Sequence, residues 1–343
     1  MTRQLKARTL AFQPNERNIF LHILTACNLS CRHCYINPEQ HGSNTLDLAT
    51  ITDWLQLFYR KDKQSNIIFL GGEPTLHPDL PQAIRIARKI GYQSITVDTN
   101  GFLHNDLLAK IDPADAVISF SLDGPRAEIN DPIRGKNVFS TCTKNLRKAV
   151  DAGFEVSVIY TVSSQNIEYL KEMPALLHKL GCRHFFIQVI GLRGKSAAPQ
   201  TDQHSVSLQV SYEQWIETIP PIAQHAASLG MHVIYPKVFL DRQENFQCAG
   251  AVAENFFVFP NGRVYTCPLC EDFPLHTYEI INNKLIQRDG LTEKNLFSLT
   301  IPEGCVMNKL LQPGSIDYLP DGTPRHRISC CLLKQEIPAG DKS

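Results

Sequence analysis

Short apolar runs alternate with amphipathic segments along the first two thirds of the chain. The runs are rich in β-branched and aromatic residues and contain few polar positions, which is typical of parallel strands buried in a sheet that helices cover. They predict strands at residues 19–25, 66–71, 94–99, 116–122, 155–162 and 184–192.

Segments with helical spacing lie between and after these strands. They predict helices at 46–58, 78–91, 167–180 and 211–229. In the first of them Leu48, Ile51 and Leu55 fall on one face. Six β/α repeats predict an α/β fold, a partial (β/α)6 TIM-like barrel with right-handed crossovers, over residues 1–236.

The pattern changes beyond about residue 237. Apolar runs shorten, Pro and Gly become frequent, and many of the cysteines fall in this part of the chain. These are Cys248, Cys267, Cys270, Cys305, Cys330 and Cys331. A segment with little apolar core and many thiols predicts a small cysteine-rich domain at 237–343 that bound metal stabilises.

The charges of the chain balance, since 34 Lys and Arg residues face 34 Asp and Glu residues. No overall field attracts the protein to polyanions, so we expect neither a nucleic acid nor a membrane as its partner. The chain begins without a continuous apolar signal segment, and no run approaches the ~20 apolar residues of a membrane span. We therefore expect a cytoplasmic protein whose 11 cysteines are metal ligands or buried thiols.

Three cysteines follow the first predicted strand in the sequence "ACNLSCRHCY". Cys27, Cys31 and Cys34 lie where a loop leaves the carboxyl end of a parallel strand, the side on which barrel enzymes carry their chemistry. A [4Fe–4S] cluster normally takes four thiolates, so three of them leave one iron open to another ligand. A zinc site completed by His33 or His41 is the alternative.

Two later strand ends carry polar motifs. The second strand ends in "GGEP", residues 71–74, where glycines allow close backbone approach and a glutamate can pair with an ammonium group. The fourth strand reads "SFSLDG", in which Ser119, Ser121 and Asp123 project to one face. Polar side chains inside a buried strand need partners, and a polar ligand in the barrel would supply them.

The spacing C-x₃-C-x₂-C after the first strand of a β/α series resembles the signature of the radical S-adenosylmethionine superfamily. This resemblance implies that Cys27, Cys31 and Cys34 hold a [4Fe–4S] cluster whose fourth iron binds S-adenosylmethionine. In that family the reduced cluster cleaves the sulfonium and releases a 5′-deoxyadenosyl radical, which abstracts hydrogen from a substrate.

The resemblance extends to residues that would bind the cofactor. Gly71, Gly72 and Glu73 match the family motif that holds the methionine amino group, and a simple strand-to-helix turn is the alternative. "SLDGP" and "NDPIRG" make Ser121 and Arg134 candidates for the cofactor carboxylate. Arg134 suits an ordinary ion pair equally well. His33 stands where the family often has an aromatic residue near the adenine.

The spacing from Cys248 through Gly262 to Cys267, C-x₁₃-G-x₄-C, resembles the opening of the SPASM domain and its shorter Twitch relative. Those domains hold auxiliary iron–sulfur clusters. The resemblance implies one auxiliary [4Fe–4S] cluster on Cys248, Cys267, Cys270 and a fourth ligand from Cys305, Cys330 or Cys331, with Cys330 the first choice. The later cysteine block of a full SPASM domain is missing, so we expect no second auxiliary cluster. Four thiolates would also satisfy zinc.

The function implied is a radical S-adenosylmethionine enzyme that oxidises or cross-links a residue of a ribosomal peptide or protein. A flavodoxin or ferredoxin would supply its electron, and no side chain is assigned a catalytic role. A small-molecule substrate, such as a sugar or a tetrapyrrole, stays open. So does a non-catalytic iron–sulfur or zinc protein on the same fold. The short amino-terminal extension predicts no leader-peptide-binding domain of the usual size.

Overall fold

The computed structural model describes residues 6–197, 208–241 and 243–339. Its strands are β1 (Arg8–Leu10), β2 (Glu16–His22), β3 (Gln64–Leu70), β4 (Ser94–Thr99), β5 (Val117–Ser121), β6 (Val156–Val162), β7 (His184–Val189), β8 (His232–Pro236), β9 (Phe239–Leu240), β10 (Glu254–Val258), β11 (Arg263–Tyr265), β12 (Tyr278–Ile281), β13 (Lys284–Gln287), β14 (Arg327–Ile328) and β15 (Lys334–Ile337). The helices are α1 (Pro38–His41), α2 (Leu48–Phe58), α3 (Leu80–Ile90), α4 (Leu107–Lys110), α5 (Ala127–Arg134), α6 (Val138–Asp151), α7 (Met173–Leu180), α8 (Tyr212–Ser228), α9 (Ala249–Val252), α10 (Lys294–Phe297) and α11 (Val306–Leu311).

A large sheet runs through the molecule. Its order is β1-β15-β8-β7-β6-β5-β4-β3-β2-β10-β11-β12-β13, and strands β2 to β8 are parallel neighbours in chain order. The six predicted strands correspond to β2 to β7, and β8 adds a seventh. Within the described residues the sheet ends at β1 and β13, so it forms an open barrel. The predicted partial β/α barrel is confirmed.

The longer helices α2, α3, α6, α7 and α8 each bury an apolar face. Helix α2 starts at Asp47, whose carboxylate accepts a hydrogen bond from the Thr50 amide at 2.7 Å, and it buries Trp54 and Phe58. The helix predicted at 167–180 is shorter than expected: α7 begins at Met173 after a 3₁₀ segment. Pro174 suits its first turn, where no amide hydrogen is required.

The part of the chain beyond residue 237 extends both sides of the sheet. Strand β10 lies parallel to β2 and leads into the antiparallel run β10 to β13. Strand β15 is inserted between β1 and β8 and is antiparallel to both. The division into domains at residues 236 and 237 stays a prediction, because strands from both parts pair in one sheet.

Of the helices within the described ranges, none has the length and apolar character needed to cross a lipid bilayer.

Candidate functional site

The first cysteine loop follows β2 at the carboxyl end of the parallel strands. Cys27 is exposed, whereas Cys31 and Cys34 are partly buried, and all three are free thiols. The Leu29 amide donates to Cys27 Sγ at 3.4 Å, and Cys31 Sγ lies 3.6 Å from the Arg134 carbonyl oxygen. Across residues 6–197, 208–241 and 243–339, no three His, Cys, Asp or Glu side chains are gathered around a single metal position. The loop thus presents three free thiols, which are soft donors of the kind that iron–sulfur clusters and zinc take.

Gly71 and Gly72 hold the end of β3 against the start of this loop. The Gly72 amide donates to the Leu24 carbonyl at 3.0 Å, and the Glu73 amide donates to the Ala26 carbonyl at 3.0 Å. A side chain on Gly71 would come within 2.5 Å of the Leu24 oxygen, and one on Gly72 would overlap the Ala26 oxygen. Both glycines therefore permit close contact between two backbone segments. Direct contact with a cofactor stays a prediction for them.

Glu73 is fully buried at the same strand end. Its carboxylate accepts hydrogen bonds from Thr75 Oγ1 at 2.6 Å, Thr99 Oγ1 at 2.7 Å and the Asn100 amide at 2.7 Å. Burial raises the pKa of Glu73, and these hydrogen bonds oppose that rise. In the described part of the chain its hydrogen-bond donors are all neutral, so the site has an acceptor suited to an ammonium group.

Asn100 connects Glu73 to the cysteine loop. Its side-chain amide donates to Asn28 Oδ1 at 2.7 Å and lies 3.8 Å from Cys27 Sγ. The backbone amide of the same residue binds Glu73, so a single asparagine contacts both motifs.

His33 and Arg134 meet at a buried carboxylate. Asp123 is fully buried, and its Oδ2 lies 2.6 Å from Arg134 Nε and 2.9 Å from His33 Nε2. Burial favours the neutral acid, but the adjacent Arg134 and His33 outweigh it and lower the pKa of Asp123 to about 2. The Thr161 amide also donates to this carboxylate at 2.8 Å. The arrangement fixes His33, which the sequence predicts near the adenine, on the inner side of the cysteine loop.

A cavity of about 240 Å³ opens beside His33. Its wall is formed by the cysteine loop, by the carboxyl ends of β6 and β7, and by the turn after β7. The lining includes Arg32, His33, Thr161, Ser163, Ile190 and Lys195. The wall of this cavity combines apolar and polar side chains, as small-molecule sites do.

Ser121 and Arg134 lie close to the site, but their side chains differ in exposure and in the partners that they already have. Ser121 ends strand β5 and is partly exposed. Arg134 is buried, and its guanidinium already pairs with Asp123. A role for either residue in binding the cofactor carboxylate stays a prediction.

A second group of cysteines surrounds a narrow cavity of about 20 Å³ between α9, α11 and the segment 330–332. Five thiol residues line it: Cys248, Cys267, Cys305, Cys330 and Cys331. Cys270 is fully buried in the adjacent apolar cluster and exchanges a hydrogen bond with Cys267. All six predicted residues are therefore brought into one region, as free thiols. Which of them are ligands stays a prediction.

Glu293 organises this region much as Glu73 organises the first. It is fully buried and accepts hydrogen bonds from the Thr266 and Cys267 amides at 2.7 and 3.0 Å and from Thr277 Oγ1 at 2.8 Å. Burial raises its pKa, and these hydrogen bonds oppose the rise. A buried acceptor therefore fixes the backbone at Cys267.

The sequence does not identify several polar residues that the fold brings to the site. Tyr35, directly after Cys34, bonds to His22 at 2.7 Å, and Arg193 lies over its ring. Asp98 in "ITVDT" faces its register partner Ser119 on β5. The available signal is weak: a carboxylate within an otherwise apolar strand, and an aromatic residue adjacent to a cysteine.

Residues 21–187, slightly less than half of the chain, match the family model of the Radical SAM superfamily. The matched region contains the first cysteine loop, Gly71 to Glu73, Ser121 and Arg134.

Two curated relatives support the same family. Fe-coproporphyrin III synthase of Methanosarcina barkeri is 29% identical over 187 residues, which cover 52% of this chain and 45% of that protein. Mycofactocin maturase MftC of Mycobacterium tuberculosis is 25% identical over 285 residues, which cover 76% of this chain and 65% of that protein. The chain thus spans about half to two thirds of the length of these relatives.

The fold is similar to that of SuiB from Streptococcus suis, whose crystal structure holds S-adenosylmethionine. The TM-score is 0.61 at 13% identity, and the match covers 88% of this chain and 72% of SuiB. Residues 21–187, which contain the first cysteine loop, thus match the Radical SAM superfamily, and the likeness to SuiB shows a similar fold over most of the chain.

Proposed function

We propose that the protein is an enzyme that reductively cleaves S-adenosylmethionine and uses the product to abstract hydrogen from a substrate. The observation that carries this proposal is the cysteine loop. Cys27, Cys31 and Cys34 are unpaired thiols on one loop at the carboxyl ends of parallel strands, beside a cavity that Arg32 and His33 of the same loop line. Three thiolates hold a [4Fe–4S] cluster with one iron left for the cofactor.

Glu73 accepts the amino group of the cofactor in this proposal. It is a buried carboxylate with neutral donors only, and an ammonium group would supply the missing positive charge. Gly71 and Gly72 hold this carboxylate next to the cysteine loop. Ser121 and Arg134 are the candidates for the carboxylate of the cofactor, and His33 borders the adenine.

When bound, the reduced cluster and S-adenosylmethionine supply a 5′-deoxyadenosyl radical that removes a hydrogen atom from the substrate. The chain positions the reactants and limits the access of water. An acidic electron-transfer protein such as a flavodoxin or ferredoxin delivers the electron near the exposed Cys27. The cytoplasm suits a protein with 11 free thiols, because thiols stay reduced there.

The carboxyl-terminal cysteines hold one auxiliary [4Fe–4S] cluster in a SPASM- or Twitch-like domain. The proposed ligands are Cys248, Cys267, Cys270 and Cys330. Support comes from the chemistry of the donors, since five free thiols line one largely apolar cavity and Cys270 lies beside it, and from a buried acceptor, Glu293, that fixes Cys267.

Nucleoside release tests the activity without knowledge of the substrate. Anaerobically reconstituted, dithionite-reduced protein is incubated with S-adenosylmethionine, and 5′-deoxyadenosine is measured by liquid chromatography and mass spectrometry. We expect the wild type to form it and the Cys27/Cys31/Cys34→Ala variant to form none. Absence of the nucleoside from wild-type protein with intact clusters would contradict the proposal.

A ribosomal peptide or protein is the proposed substrate. The alignment with mycofactocin maturase extends over 285 residues and so reaches well beyond the matched superfamily region. SuiB, which has a similar fold, has been crystallised with its precursor peptide SuiA. Peptides encoded by small reading frames beside the gene are the probes. Oxidation or cross-linking would appear as a loss of two hydrogen atoms in the peptide mass.

A tetrapyrrole is the second candidate, favoured by the relative Fe-coproporphyrin III synthase. Its alignment covers only 52% of this chain, which makes it the weaker guide to the substrate. Incubation of active protein with coproporphyrin III, with and without iron, separates the candidates. A change in the porphyrin absorption spectrum that depends on S-adenosylmethionine would favour the tetrapyrrole over the peptide.

A further inference from the structure

The turn that follows β7 contacts both cysteine loops. Three consecutive residues make these contacts. The Lys195 amide donates to the Cys34 carbonyl at 2.9 Å, and the Gly194 amide donates to Asp272 Oδ2 at 2.6 Å. Arg193 contacts both loops through its side chain. The first loop contains Cys34, and Asp272 lies two residues after Cys270 in the second.

The guanidinium of Arg193 is the central contact. Its Cζ lies 4.6 Å from the centre of the Tyr35 ring, and Nη1 donates to the Pro268 carbonyl at 2.8 Å. The same nitrogen forms an ion pair with Glu271. Tyr35, Pro268 and Glu271 each stand one position after a cysteine, namely Cys34, Cys267 and Cys270.

The turn itself is held in one conformation. Ser196 Oγ accepts a hydrogen bond from the Arg193 amide at 2.9 Å and lies 2.8 Å from the Gly191 carbonyl oxygen. Gly194 adopts φ +56°, and a Cβ there would come within 2.5 Å of the Cys34 oxygen. The turn therefore fits closely against the first loop only with glycine at this position.

We propose that Arg193 is a positioning residue that couples the two cysteine sites by holding both loops in one arrangement. This coupling rests on the proposed function in one respect, because it takes both cysteine groups as cluster sites. A guanidinium suits this role because it stacks on a ring and donates several hydrogen bonds in its own plane at the same time, which an ammonium group cannot do. Its partner Glu271 is buried, so the ion pair is shielded from water and fixed in place.

Arg17 offers a matched control. Its guanidinium lies over Phe256 at 5.0 Å, pairs with Glu254 at 2.6 Å and donates to the Phe58 carbonyl at 3.1 Å. Arg17 thus makes the same three kinds of contact as Arg193, but none of these partners lies next to a cysteine. Replacement of Arg17 removes an equivalent set of interactions without touching either cysteine loop.

Hydrogen–deuterium exchange of the reconstituted protein provides the first measurement. For Arg193→Ala we expect the amides of residues 31–37 and 267–273 both to exchange roughly tenfold faster, because one shared contact restrains both loops. Arg17→Ala should leave both segments unchanged. Arg193→Lys keeps the charge but loses the planar fork, so it should also speed exchange in both segments.

Electron paramagnetic resonance of the reduced clusters provides the second measurement of the coupling. In a Cys27/Cys31/Cys34→Ala background the auxiliary cluster is observed alone, and in a Cys267→Ala background the first cluster is observed. We expect Arg193→Ala to shift the g-values in both backgrounds, and Arg17→Ala in neither. Iron counts on the wild type test the proposed function separately, because the exchange comparison requires only the folded chain.

Faster exchange confined to residues 267–273, or no change in either segment, would overturn the coupling. Wild-type exchange in Arg193→Lys would overturn the specific need for a guanidinium. Circular dichroism of each variant establishes that it folds, and if Arg193→Ala does not, the comparison of Arg193→Lys with Arg17→Lys decides between the same outcomes.

Discussion

Glu73 is a buried carboxylate whose hydrogen-bond donors, within the described ranges, are the neutral residues Thr75, Thr99 and Asn100. A buried anion is costly unless its acceptor positions are filled, and two threonine hydroxyls and two backbone amides, those of Thr75 and Asn100, fill most of them. These donors are neutral, so the carboxylate can still accept a cation. At the residue scale, we therefore expect Glu73 to serve both the fold and the proposed binding of an ammonium group.

Glu73→Gln separates these two contributions. The side-chain N–H₂ group of glutamine is a donor, so it cannot accept the hydrogen bonds that Thr75, Thr99 and Asn100 donate to Glu73. We therefore expect a loss of roughly 1–3 kcal/mol in the free energy of unfolding. Loss of the negative charge should also weaken S-adenosylmethionine binding at least about tenfold. Chemical denaturation and calorimetric titration of the reconstituted protein measure the two effects. Glu128→Gln, on an exposed position of α5, is the control. Unchanged affinity in Glu73→Gln would exclude an ammonium contact.

Asp98 predicts a pH dependence of stability. Burial raises its pKa to about 6, a hydrogen bond from Ser119 opposes the rise, and Glu73 adds to it. An aspartate in an unfolded chain has a pKa of about 3.9, so the folded state binds this proton more strongly. Stability from this carboxyl is therefore fully present below pH ~4 and is lost as the pH rises through about 6.

Asp98→Asn removes the loss of stability that ionisation of the Asp98 carboxyl causes as the pH rises through about 6. We expect the variant to be more stable than the wild type at pH 8, by roughly 1–3 kcal/mol, and the difference to vanish below pH ~4. Urea denaturation at several pH values measures it. A stability difference that stays constant between these pH values would show that the ionisation of Asp98 does not contribute.

The sequence identifies single residues of the site where a local motif exists. Cys27, Cys31 and Cys34 follow from their spacing, and Glu73 follows from "GGEP". The link between His33 and Asp123 does not follow, because the two lie in separate β/α units and only the fold brings them within 2.9 Å. Residues placed by a turn after a later strand, such as Arg193, are hidden for the same reason.

At the scale of elements, the strand ends determine the site. Parallel strands place the loops after β2, β3, β5 and β7 along one edge of the sheet, and the motifs in these loops meet there. The apolar runs predict β2 to β7 to within a few residues. They miss β8, which has five residues, and the pairing of β10 with β2. That pairing depends on contacts between distant parts of the chain, which local periodicity does not encode.

Gly72→Ala tests the contact between β3 and the cysteine loop. The added methyl group would overlap the carbonyl oxygens of Thr25 and Ala26, and backbone atoms cannot move aside as a flexible side chain can. We expect a loss of roughly 1–3 kcal/mol in stability, together with poorer retention of the first cluster. Thermal unfolding and iron analysis measure these effects.

Gly191→Ala is the control for this substitution, since its nearest neighbours would lie at 3.6 Å, an ordinary contact distance. If Gly72→Ala were as stable and as rich in iron as Gly191→Ala, the close approach would not be required.

At the scale of the whole molecule, two groups of free cysteines lie in loops and turns that the strands of one continuous sheet connect. The fold class could be predicted because six β/α units repeat the same local pattern. The pairing of the carboxyl-terminal strands with the barrel could not be predicted, since these short strands carry little periodic signal. The ligands of the proposed auxiliary cluster could not be predicted either, because six cysteines lie in that region and a [4Fe–4S] cluster takes four thiolates.

Iron counts test the two sites together. Two four-iron clusters predict about eight irons per chain, falling to about four in Cys27/Cys31/Cys34→Ala. Iron and sulfide analysis with zinc measured in parallel gives the result. Zinc in the triple variant, in place of iron, would show that the auxiliary site is not an iron–sulfur site.

Single replacements in that triple-variant background identify the auxiliary ligands. We expect Cys248, Cys267, Cys270 or Cys330, each changed to Ala, to abolish iron binding, and Cys305→Ala and Cys331→Ala to retain it. Retention in Cys270→Ala with loss in Cys305→Ala would instead assign the ligands to the cysteines that line the cavity.

Strand β15 completes the sheet between β1 and β8, and β10 covers the outer edge of β2. On the ribosome, the first cysteine loop is made long before these neighbours; His22, for example, bonds to Val258, 236 positions further along the chain. The nascent polypeptide therefore emerges with its reactive thiols on an unfinished sheet. We therefore expect stable iron insertion to require the late strands, and a chain truncated before β10 to retain less iron than the full chain.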